Sequence, residues 1–450
     1  YFFLIAVLFC AACEKQDAPD TNKPAPSTDP DQYGIPFAGV PDRRDATIYQ
    51  VNIRSFSNSG NFQGVIARLD SIKALGTNVI YLMPIYQLGQ LHAFNSPYCI
   101  KDYMEVNPEF GTLEDLRTLI ENAHNKEMAV ILDWVGNHTS WDHVWMSNTS
   151  WYAKNSSGEM YSPNGWNDVV QLNFGNQEMR KAMIKAMKYW ILTANCDGFR
   201  CDYSDGPPVD FWKQAIDTLR NVKTHKLLLL AEGTRSGNFS AGFDYNFGFR
   251  FYDQLKKVFG NNQVSALTFD NMNSVEYSGT TEGQMTVRYI TNHDVNSSDG
   301  TPQSLLGGNQ GAMAAFVIAA YMKGIPMIYT GQEVGTPYSI TFPFTAKNID
   351  WSLNPQITAE YKKVLAFRNN SEAIRRGTLT SHSTADICAF TKTSVTETVF
   401  VAVNTRNSTK LITLPVSVAN SEWKDAYTGA TVNTATDLSL EPYQYLVIRK

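Results

Sequence analysis

Short apolar runs alternate with amphipathic stretches between Ala46 and Tyr329. The runs are rich in β-branched and large apolar residues, as buried strands are, whereas the stretches between them repeat apolar residues at helical spacing. The runs predicted as strands are Thr47–Ile53, Asn78–Met83, Met128–Val135, Asp197–Asp202, Leu227–Glu232, Gly242–Tyr245, Thr286–Thr291 and Pro326–Tyr329. Eight strand–helix units over about 330 residues predict an α/β fold, a (β/α)₈ TIM barrel with insertions.

Two of the intervening stretches predict barrel helices with one apolar stripe. The first has apolar residues at helical spacing before a terminating Gly76, namely Val65, Ile66, Leu69, Ile72 and Leu75. The second begins at Thr112 with Asp115 three residues later, a spacing typical of a capping box. Both stretches fit helices that cover the outside of a barrel.

The pattern changes after Gly377. Alternating runs separated by turn residues predict strands at Ile387–Lys392, Val399–Asn404, Lys410–Pro415 and Tyr443–Arg449. Without a helical stripe, they predict a small antiparallel β-sandwich. We therefore assign residues 35–377 to the barrel, with a short loop domain at 139–170 inserted after the third strand, and residues 378–450 to the sandwich.

The N-terminal residues 1–13 form a short apolar run that ends at Cys13, and they predict a signal peptide. The sequence Cys10-Ala11-Ala12-Cys13 resembles a bacterial lipobox, in which the cysteine is lipidated; the alternative is an ordinary cleaved signal. Residues 14–34, rich in Pro, Asp and Thr, predict a flexible linker. We expect an exported bacterial lipoprotein, on the outer membrane surface or in the periplasm, that meets the membrane only through its lipid anchor.

Composition disfavours one class of partner and one kind of site. The chain of 450 residues carries a net charge of -5 and no basic run, which disfavours nucleic acid as a partner. Cys99, Cys196, Cys201 and Cys388 have neither CxxC spacing nor nearby histidines, so they predict no metal site and identify no disulfide pair. The oligomeric state stays open.

Ionisable residues end four of the predicted strands. The ends read Asp133-Trp134-Val135-Gly136-Asn137-His138, Gly198-Phe199-Arg200-Cys201-Asp202, Leu230-Ala231-Glu232 and Asn292-His293-Asp294. A barrel interior is otherwise apolar, and an unpaired buried carboxylate is costly, so these groups must pair or react. Their convergence on one barrel mouth favours an active site over scattered salt bridges.

These four segments resemble, in the same order, the signature regions of the α-amylase superfamily. Further similarities are Thr47-Ile48-Tyr49-Gln50 in the first strand, Ser96-Pro97-Tyr98 before Asp102-Tyr103, and Gly324-Ile325-Pro326 with Gly331-Gln332-Glu333 around the eighth strand. The resemblance covers roughly Ala46 to Lys450. It implies a retaining glycoside hydrolase that acts on α-glucans.

The resemblance implies a catalytic role for each of three carboxylates. Asp202 would be the nucleophile that forms a covalent glucosyl-enzyme, and Glu232 the acid and then the base, with a raised pKa. In a retaining enzyme these two carboxyls stand about 5–5.5 Å apart. Asp294 would bind hydroxyls of the distorted sugar and stabilise the transition state.

Five further residues are implied to bind substrate or to support the site. His138 and His293 would hydrogen-bond the sugar ring, and Tyr98 would stack beneath it. Arg200, two residues from Asp202 and so on the same face of the strand, would keep the nucleophile ionised, and Asp133 would anchor the end of the third strand.

The chemistry implied here needs no cofactor. Asn137 matches a position that ligates a structural calcium in many relatives, and Asp168 is the other visible oxygen ligand. Two departures disfavour that site: Tyr203-Ser204 stands where the family often has Lys-His, and Gln171 stands where calcium-binding members frequently have Asp. Calcium therefore stays a possible but unfavoured ligand.

Several functions remain open at this level. The leading hypothesis is hydrolysis of α-1,4 bonds in starch, glycogen or maltooligosaccharides. Glucan transglycosylation and cyclomaltodextrinase- or neopullulanase-type activity are alternatives, because they use the same triad. A non-catalytic glycan-binding lipoprotein is the alternative of another class. The insertion could line sugar subsites or fill its own small core with its tryptophans, Trp141, Trp145, Trp151 and Trp166.

Overall fold

The computed structural model describes Tyr1 and residues 29–260, 264–345 and 348–450. The predicted signal peptide from residue 2, the Cys13 lipobox and the linker up to residue 28 lie outside the described residues. From residue 29 the chain lies against the barrel, where the Tyr33 amide donates to the Leu192 carbonyl at 2.7 Å and its hydroxyl to Glu121 at 2.6 Å. Within the described ranges, no helix has the length and apolarity needed to cross a membrane.

The strands form a barrel, short pairs between the barrel strands, and C-terminal sheets. In chain order they are β1 Ile48–Val51, β2 Val79–Leu82, β3 Tyr86–Leu88, β4 Ile100–Val106, β5 Ala129–Trp134, β6 His138–Ser140, β7 Val169–Gln171, β8 Gly198–Cys201, β9 Leu228–Ala231, β10 Tyr245–Phe247, β11 Met285–Arg288, β12 Ile325–Tyr329, β13 Thr378–Ser381, β14 Ile387–Thr393, β15 Thr398–Asn404, β16 Lys410–Thr413, β17 Glu422–Asp425, β18 Thr431–Asn433, β19 Asp437–Leu440 and β20 Tyr445–Arg449. Barrel strands alternate with helices, and the group after residue 377 does not.

Most helices lie between the barrel strands. They are α1 Ile53–Phe56, α2 Phe62–Ile66, α3 Leu69–Ala74, α4 Leu113–His124, α5 Gln177–Ala194, α6 Val209–Arg220, α7 Gly237–Ala241, α8 Phe249–Phe259, α9 Thr268–Glu276, α10 His293–Ser298, α11 Pro302–Leu305, α12 Gly308–Tyr321, α13 Pro355–Asn370 and α14 Glu372–Arg376. The predicted capping box of α4 is confirmed: the Thr112 side chain accepts from the Asp115 amide, and the Asp115 carboxylate accepts from the Thr112 amide.

Eight parallel strands close into a barrel in the order β1-β12-β11-β10-β9-β8-β5-β2, which confirms the predicted TIM fold. Successive side chains of a strand point to opposite faces, so each strand contributes to the barrel interior and to the layer between strands and helices. Ile48, Val79 and Ile131 fill the inside of the barrel, while Tyr49, Ile80 and Leu132 pack outward against the helices. Burial on both faces explains why the strands read as nearly continuous apolar runs.

Two sequence expectations need correction. The sixth strand is Tyr245–Phe247 rather than Gly242–Tyr245, because Gly242 ends α7 in a left-handed conformation with φ 107°. The stripe between Val65 and Leu75 forms two short helices, α2 and α3, instead of one. Arg68 at the break leaves helical geometry and places its guanidinium 4.0 Å from the ring of Trp351.

Two additions complete the barrel. The insertion after β5 is closed at its base by an antiparallel pair, in which β6 residue His138 lies opposite β7 residue Gln171. The C-terminal unit has an antiparallel sheet of order β13-β14-β15-β20-β17-β18 and a second pair, β16-β19. One face of the larger sheet packs on β16 and β19 through Phe400 and Ile412, and the other joins the barrel core through Val401. The predicted antiparallel β domain is thereby confirmed.

A lysine is buried where the sandwich meets the barrel. Lys392 on β14 is 4% exposed, and its amine donates only a long contact, 3.4 Å, to the Met322 carbonyl. Burial, together with the nearby cations Arg368, Lys323 and Arg288, lowers the pKa of Lys392 to about 7. The interface therefore carries a protonation cost at neutral pH and below.

We expect Lys392→Met to raise the unfolding temperature by about 3 °C near pH 6, since it removes a buried charge at little change in volume. In the window between a folded pKa of about 7 and an unfolded pKa of about 10.4, only the unfolded state binds the proton, so wild-type stability rises with pH there. The gain from the substitution should consequently shrink in thermal melts at pH 9. The exposed Lys362→Met is the control and should change little; a gain independent of pH would contradict this assignment.

Candidate active site

The alternation of side chains along β5 and β8 turns three ionisable groups into the barrel mouth. Ala129 and Ile131 of β5 face the barrel interior, so Asp133 does too, and on β8 the outward Phe199 is followed by an inward Arg200. Asp202 follows directly after β8 on the same side as Arg200. Gly198 begins this strand at φ 142°, where a Cβ atom would lie 1.9 Å from the Leu228 carbonyl oxygen, so only glycine fits.

The completely buried guanidinium of Arg200 contacts three carboxylates. Its Nη1 lies 2.7 Å from Asp133 Oδ1 and 3.1 Å from Asp202 Oδ1, and its Nη2 lies 2.8 Å from Glu232 Oε1. Burial works against the charged form, but the carboxylates of Asp133 and Glu232 outweigh it and raise the pKa of Arg200 well above its usual value. A permanent cation therefore holds Asp202 and Glu232 next to each other.

Burial raises the pKa of both carboxyls on this cation. Burial raises the pKa of Asp202 well above its usual range, with a further increase from Glu232 and a decrease from Arg200. Burial also raises the pKa of Glu232, to about 7. Arg200 was expected to keep Asp202 ionised, and it does lower the pKa of Asp202, while burial and the Glu232 carboxylate act in the opposite direction.

The backbone of Tyr203 fixes the second carboxyl. Its amide donates to Glu232 Oε2 at 2.7 Å, whereas Arg200 contacts the other oxygen, Oε1. Tyr203 adopts φ 41°, a left-handed conformation that is uncommon for a residue with a side chain. That conformation turns its amide toward Glu232 while its ring lines the cleft.

A hydrogen-bonded chain runs from β1 to Asp133 beneath the cleft. Gln50 Nε2 contacts His293 Nδ1 at 2.7 Å, and His293 Nε2 contacts the Tyr98 hydroxyl at 2.7 Å. The Tyr98 hydroxyl donates to Asp133 Oδ2 at 3.0 Å, as does the Tyr81 hydroxyl at 2.7 Å. Because an amide nitrogen can only donate, His293 accepts at Nδ1 and is the neutral Nε2–H tautomer, and burial lowers its pKa accordingly.

Asp294 and His138 differ sharply in exposure. Asp294 is the most open of the carboxylates, with its side chain 53% exposed and its Oδ1 3.4 Å from His293 Nε2. His138 is 3% exposed, and burial lowers its pKa to about 4, so it is neutral near pH 7. The structure thus brings every predicted site residue except Asn137 to one barrel mouth, although Asp133, Arg200 and most of His293 lie below its surface.

A cleft of about 670 Å³ opens above these groups. It is lined by Asp202, Glu232 and Asp294, by both histidines and Tyr98, and by aromatic residues from several loops, which are Phe94, Trp166, Tyr203, Phe249, Phe342 and Phe344. Flat apolar rings around a few polar groups suit the faces and hydroxyls of sugars. Sequence reasoning did not identify the phenylalanines, since nothing in their local pattern distinguishes them from loop or core residues.

The tryptophans of the insertion divide between the two expected roles. Trp166 lines the cleft and meets His138 edge-on at 5.4 Å between ring centroids. Trp145 and Trp151 pack on each other at 5.3 Å, and Trp145 also contacts Tyr103, so they fill a small core of the insertion. The indole of Trp141 donates to the Asn167 carbonyl at 3.1 Å.

The surroundings of Asn137 do not fit a cation. Gln171 Nε2 donates to the Asn137 carbonyl oxygen at 3.0 Å and to its Oδ1 at 3.3 Å. The Asn137 amide in turn donates to Gln171 Oε1 at 3.3 Å. The side-chain amide of Gln171 thus occupies the oxygens that a calcium ion would need. Across the described residues, no group of three or more His, Cys, Asp or Glu side chains could hold a metal ion.

Comparison with known proteins gives one family. The model of the α-amylase catalytic domain matches residues 50–150 and 141–348. α-Amylase 3 of Dictyoglomus thermophilum is 27% identical over 69% of this chain and 68% of its own length. A cyclomaltodextrinase of Thermoanaerobacter pseudethanolicus is 24% identical over 79% of this chain and 65% of its own length.

A solved structure extends the comparison to nearly the whole described chain. The crystal structure of an α-amylase from Lactobacillus plantarum superposes with a TM-score of 0.80 at 26% sequence identity. The superposition covers 91% of this chain and 99% of the other. The barrel and the C-terminal sheet domain therefore have the same arrangement in both proteins.

We expect prolonged dialysis against a chelator to leave the unfolding temperature unchanged, because the Gln171 amide already bonds the Asn137 oxygens that a cation would use. Differential scanning calorimetry with and without millimolar calcium measures this. Gln171→Ala should lower the unfolding temperature by a few degrees, corresponding to roughly 1 kcal/mol per lost buried hydrogen bond. A chelator-induced drop in the wild type that calcium restores would contradict the assignment.

Proposed function

Because the chain belongs to the α-amylase family of glycoside hydrolases, we propose that it cleaves α-1,4-glucosidic bonds of starch, glycogen or maltooligosaccharides with retention. The observation that carries this proposal is the pairing of two largely buried carboxyls, Asp202 and Glu232, on the single guanidinium of Arg200. Retaining hydrolysis requires two carboxyls in close and fixed positions, one able to donate a proton and one able to attack.

The proposed reaction starts with the proton on Glu232. The raised pKa of Glu232 lets it protonate the oxygen of the leaving sugar. Asp202, ionised beside Arg200, attacks the anomeric carbon and forms a covalent glucosyl-enzyme. Glu232, now a carboxylate, takes a proton from water, which attacks the same carbon and releases the sugar and Asp202.

The remaining groups act on the sugar in the cleft. Asp294, exposed at the mouth, accepts hydrogen bonds from ring hydroxyls and stabilises the positive charge that develops in the transition state. His138 and His293 are neutral, so neither adds a positive charge that would oppose the transition state. Both ring nitrogens of His293 already bond Gln50 and Tyr98, so His293 holds Tyr98 in position against the sugar. Tyr98 offers its ring face to the sugar while its hydroxyl is held by Asp133 and His293.

A related substrate class is a second candidate. One relative is a cyclomaltodextrinase, and the triad chemistry is identical for linear glucans, cyclodextrins and transfer to a sugar acceptor. Incubation with amylose, pullulan and a cyclodextrin, followed by chromatography, separates these activities by the products released. Binding without turnover on all of them would favour the non-catalytic glycan-binding alternative.

We extend the proposal to location. The apolar start of the chain and Cys13 support export and lipid anchoring of a bacterial surface or periplasmic enzyme. Labelling with a radioactive fatty acid in cells, compared between the wild type and Cys13→Ser, tests this. Absence of label on the wild type would favour the ordinary cleaved signal.

We expect Asp202→Asn to lower kcat on amylose by at least about a thousandfold, because an amide cannot form the glucosyl-enzyme. The same variant should still bind maltooligosaccharides. NMR of the wild-type reaction should show that the first product released is the α-anomer, as retention requires.

The control is Asp217→Asn, which removes an exposed carboxylate on α6 that pairs with Lys213 at 2.9 Å. It should leave kcat within about twofold. Turnover by Asp202→Asn at the control's rate, or initial release of the β-anomer, would contradict the proposed mechanism.

The pH dependence of kcat/KM gives a further test. Glu232 must be protonated to act as the acid, so its raised pKa predicts that kcat/KM falls above about pH 7, by tenfold per pH unit. Stopped assays on a short maltooligosaccharide across the alkaline range measure this limb. A profile that stays flat throughout that range would mean that another group protonates the leaving oxygen.

A further inference from the structure

A second cavity, about 830 Å³ in volume, lies between the barrel and the C-terminal sheet domain. We name it the junction cleft and define it by Asn309, Gln310, Gln356, Tyr427, Tyr443 and Tyr445. It shares no lining residue with the active-site cleft among the described positions. Its volume lies in the range of small-molecule and oligosaccharide sites.

The junction cleft faces the catalytic end of the barrel. Two of its sides are the first turns of α12, which leads into β12, and of α13, which follows β12. In a (β/α)₈ barrel the helices run opposite to the strands, so their first turns lie at the carboxyl end of the strands, where the active site also lies. The junction cleft therefore opens on the outer wall of the barrel at the end that holds Asp202 and Glu232.

Aromatic rings form the wall that comes from the C-terminal domain. Tyr443, in the turn between β19 and β20, adopts φ 54°, and its ring lies against Gly307, where a Cβ atom would come within 2.2 Å of the Tyr443 hydroxyl. Tyr427 and Tyr445 lie edge to face with 6.5 Å between ring centroids. Half-buried tyrosines held in fixed orientations offer apolar faces at low entropic cost.

The polar side of the junction cleft consists of amides. Asn309, Gln310 and Gln356 are exposed, and their side chains have no hydrogen-bond partner within the described part of the chain. Side-chain amides supply both donors and acceptors, as neighbouring hydroxyl groups of a sugar require.

The charged side chains that line the junction cleft are one lysine and three carboxylates, which are Lys363, Glu360, Asp425 and Glu441. Lys363 pairs with Glu360 at 2.6 Å and lies 4.6 Å from the Tyr427 ring, while Tyr445 donates to Glu360. Asp425 accepts from the amides of Tyr427 and Thr428. A phosphate or carboxylate ligand would need a free cation, so this chemistry favours a neutral, hydroxyl-rich ligand.

We propose that the junction cleft binds a segment of α-glucan chain and holds long substrates at the enzyme while another segment occupies the active site. This rests on the proposed function, because the gain is in the turnover of long α-glucan chains. Attachment at a second point raises the local concentration of substrate at the first, so the benefit grows with chain length. Chains too short to reach both clefts gain nothing.

The test compares a long and a short substrate. We expect the triple substitution Asn309→Ala, Gln310→Ala and Gln356→Ala in the full chain to raise KM for amylose roughly fivefold while kcat/KM for maltotriose stays unchanged. All three side chains are exposed, so the variant should fold; Tyr443→Ala, checked by its melting temperature, removes the aromatic wall independently. The matched control, Asn221→Ala, removes an exposed amide at the end of α6.

Binding provides a readout independent of turnover. In the Asp202→Asn background, calorimetric titration with maltoheptaose should give two sites per chain, and adding the triple substitution should leave one. Equal KM values for amylose in the wild type and the triple variant would overturn the proposed glucan site in the junction cleft. A single maltoheptaose site in Asp202→Asn both with and without the triple substitution would do the same, and either result would leave the proposed function standing. A wild type that turns over no α-glucan would overturn the proposed function, and this inference with it.

Discussion

A buried guanidinium is costly in a protein interior unless negative charge compensates it, and at the mouth of this barrel the compensation for Arg200 comes from three carboxylates. Arg200 thereby decides where Asp133, Asp202 and Glu232 can lie. Each of the three carboxylates contacts the guanidinium directly, so a structural requirement and the chemistry of the site are satisfied by the same contacts.

The constraint extends outward through hydrogen bonds. Asp133 completes its bonding with Tyr98, Tyr98 bonds His293, and His293 bonds Gln50, which returns the network to the first strand. Each member fixes the tautomer or orientation of the next. One buried cation therefore fixes the positions of side chains that lie far apart in the sequence. The cleft above them needs little reorganisation before it binds a sugar.

The sequence was informative where burial and periodicity leave a local signal. Barrel strands are apolar on both faces and were predicted well, whereas the sixth was misplaced because a left-handed Gly242 ends a short helix instead of starting a strand. The carboxylates at strand ends stood out against apolar neighbours such as Ala231. The bonding partner of His293, Gln50, lies 243 positions away, and no local pattern could connect the two.

The aromatic lining was harder to foresee for the same reason. Phe344 and Trp166 reach the cleft on loops, whereas Trp145 of the same insertion is turned into a small core. Composition reports that such rings exist but not which way a loop turns them. Their assignment required the three-dimensional path of the chain.

The hydrogen bond from the Tyr203 main-chain amide to Glu232 restricts the backbone at position 203 more than it restricts the side chain. An amide serves whatever side chain it carries, so position 203 can change the wall of the cleft without releasing the acid. The restriction falls on backbone shape: with φ at 41°, glycine, asparagine or aspartate would be tolerated, and β-branched residues would not. Substitutions at position 203, the residue next to Asp202 in the sequence, can therefore change substrate preference while the reacting carboxyls keep their positions.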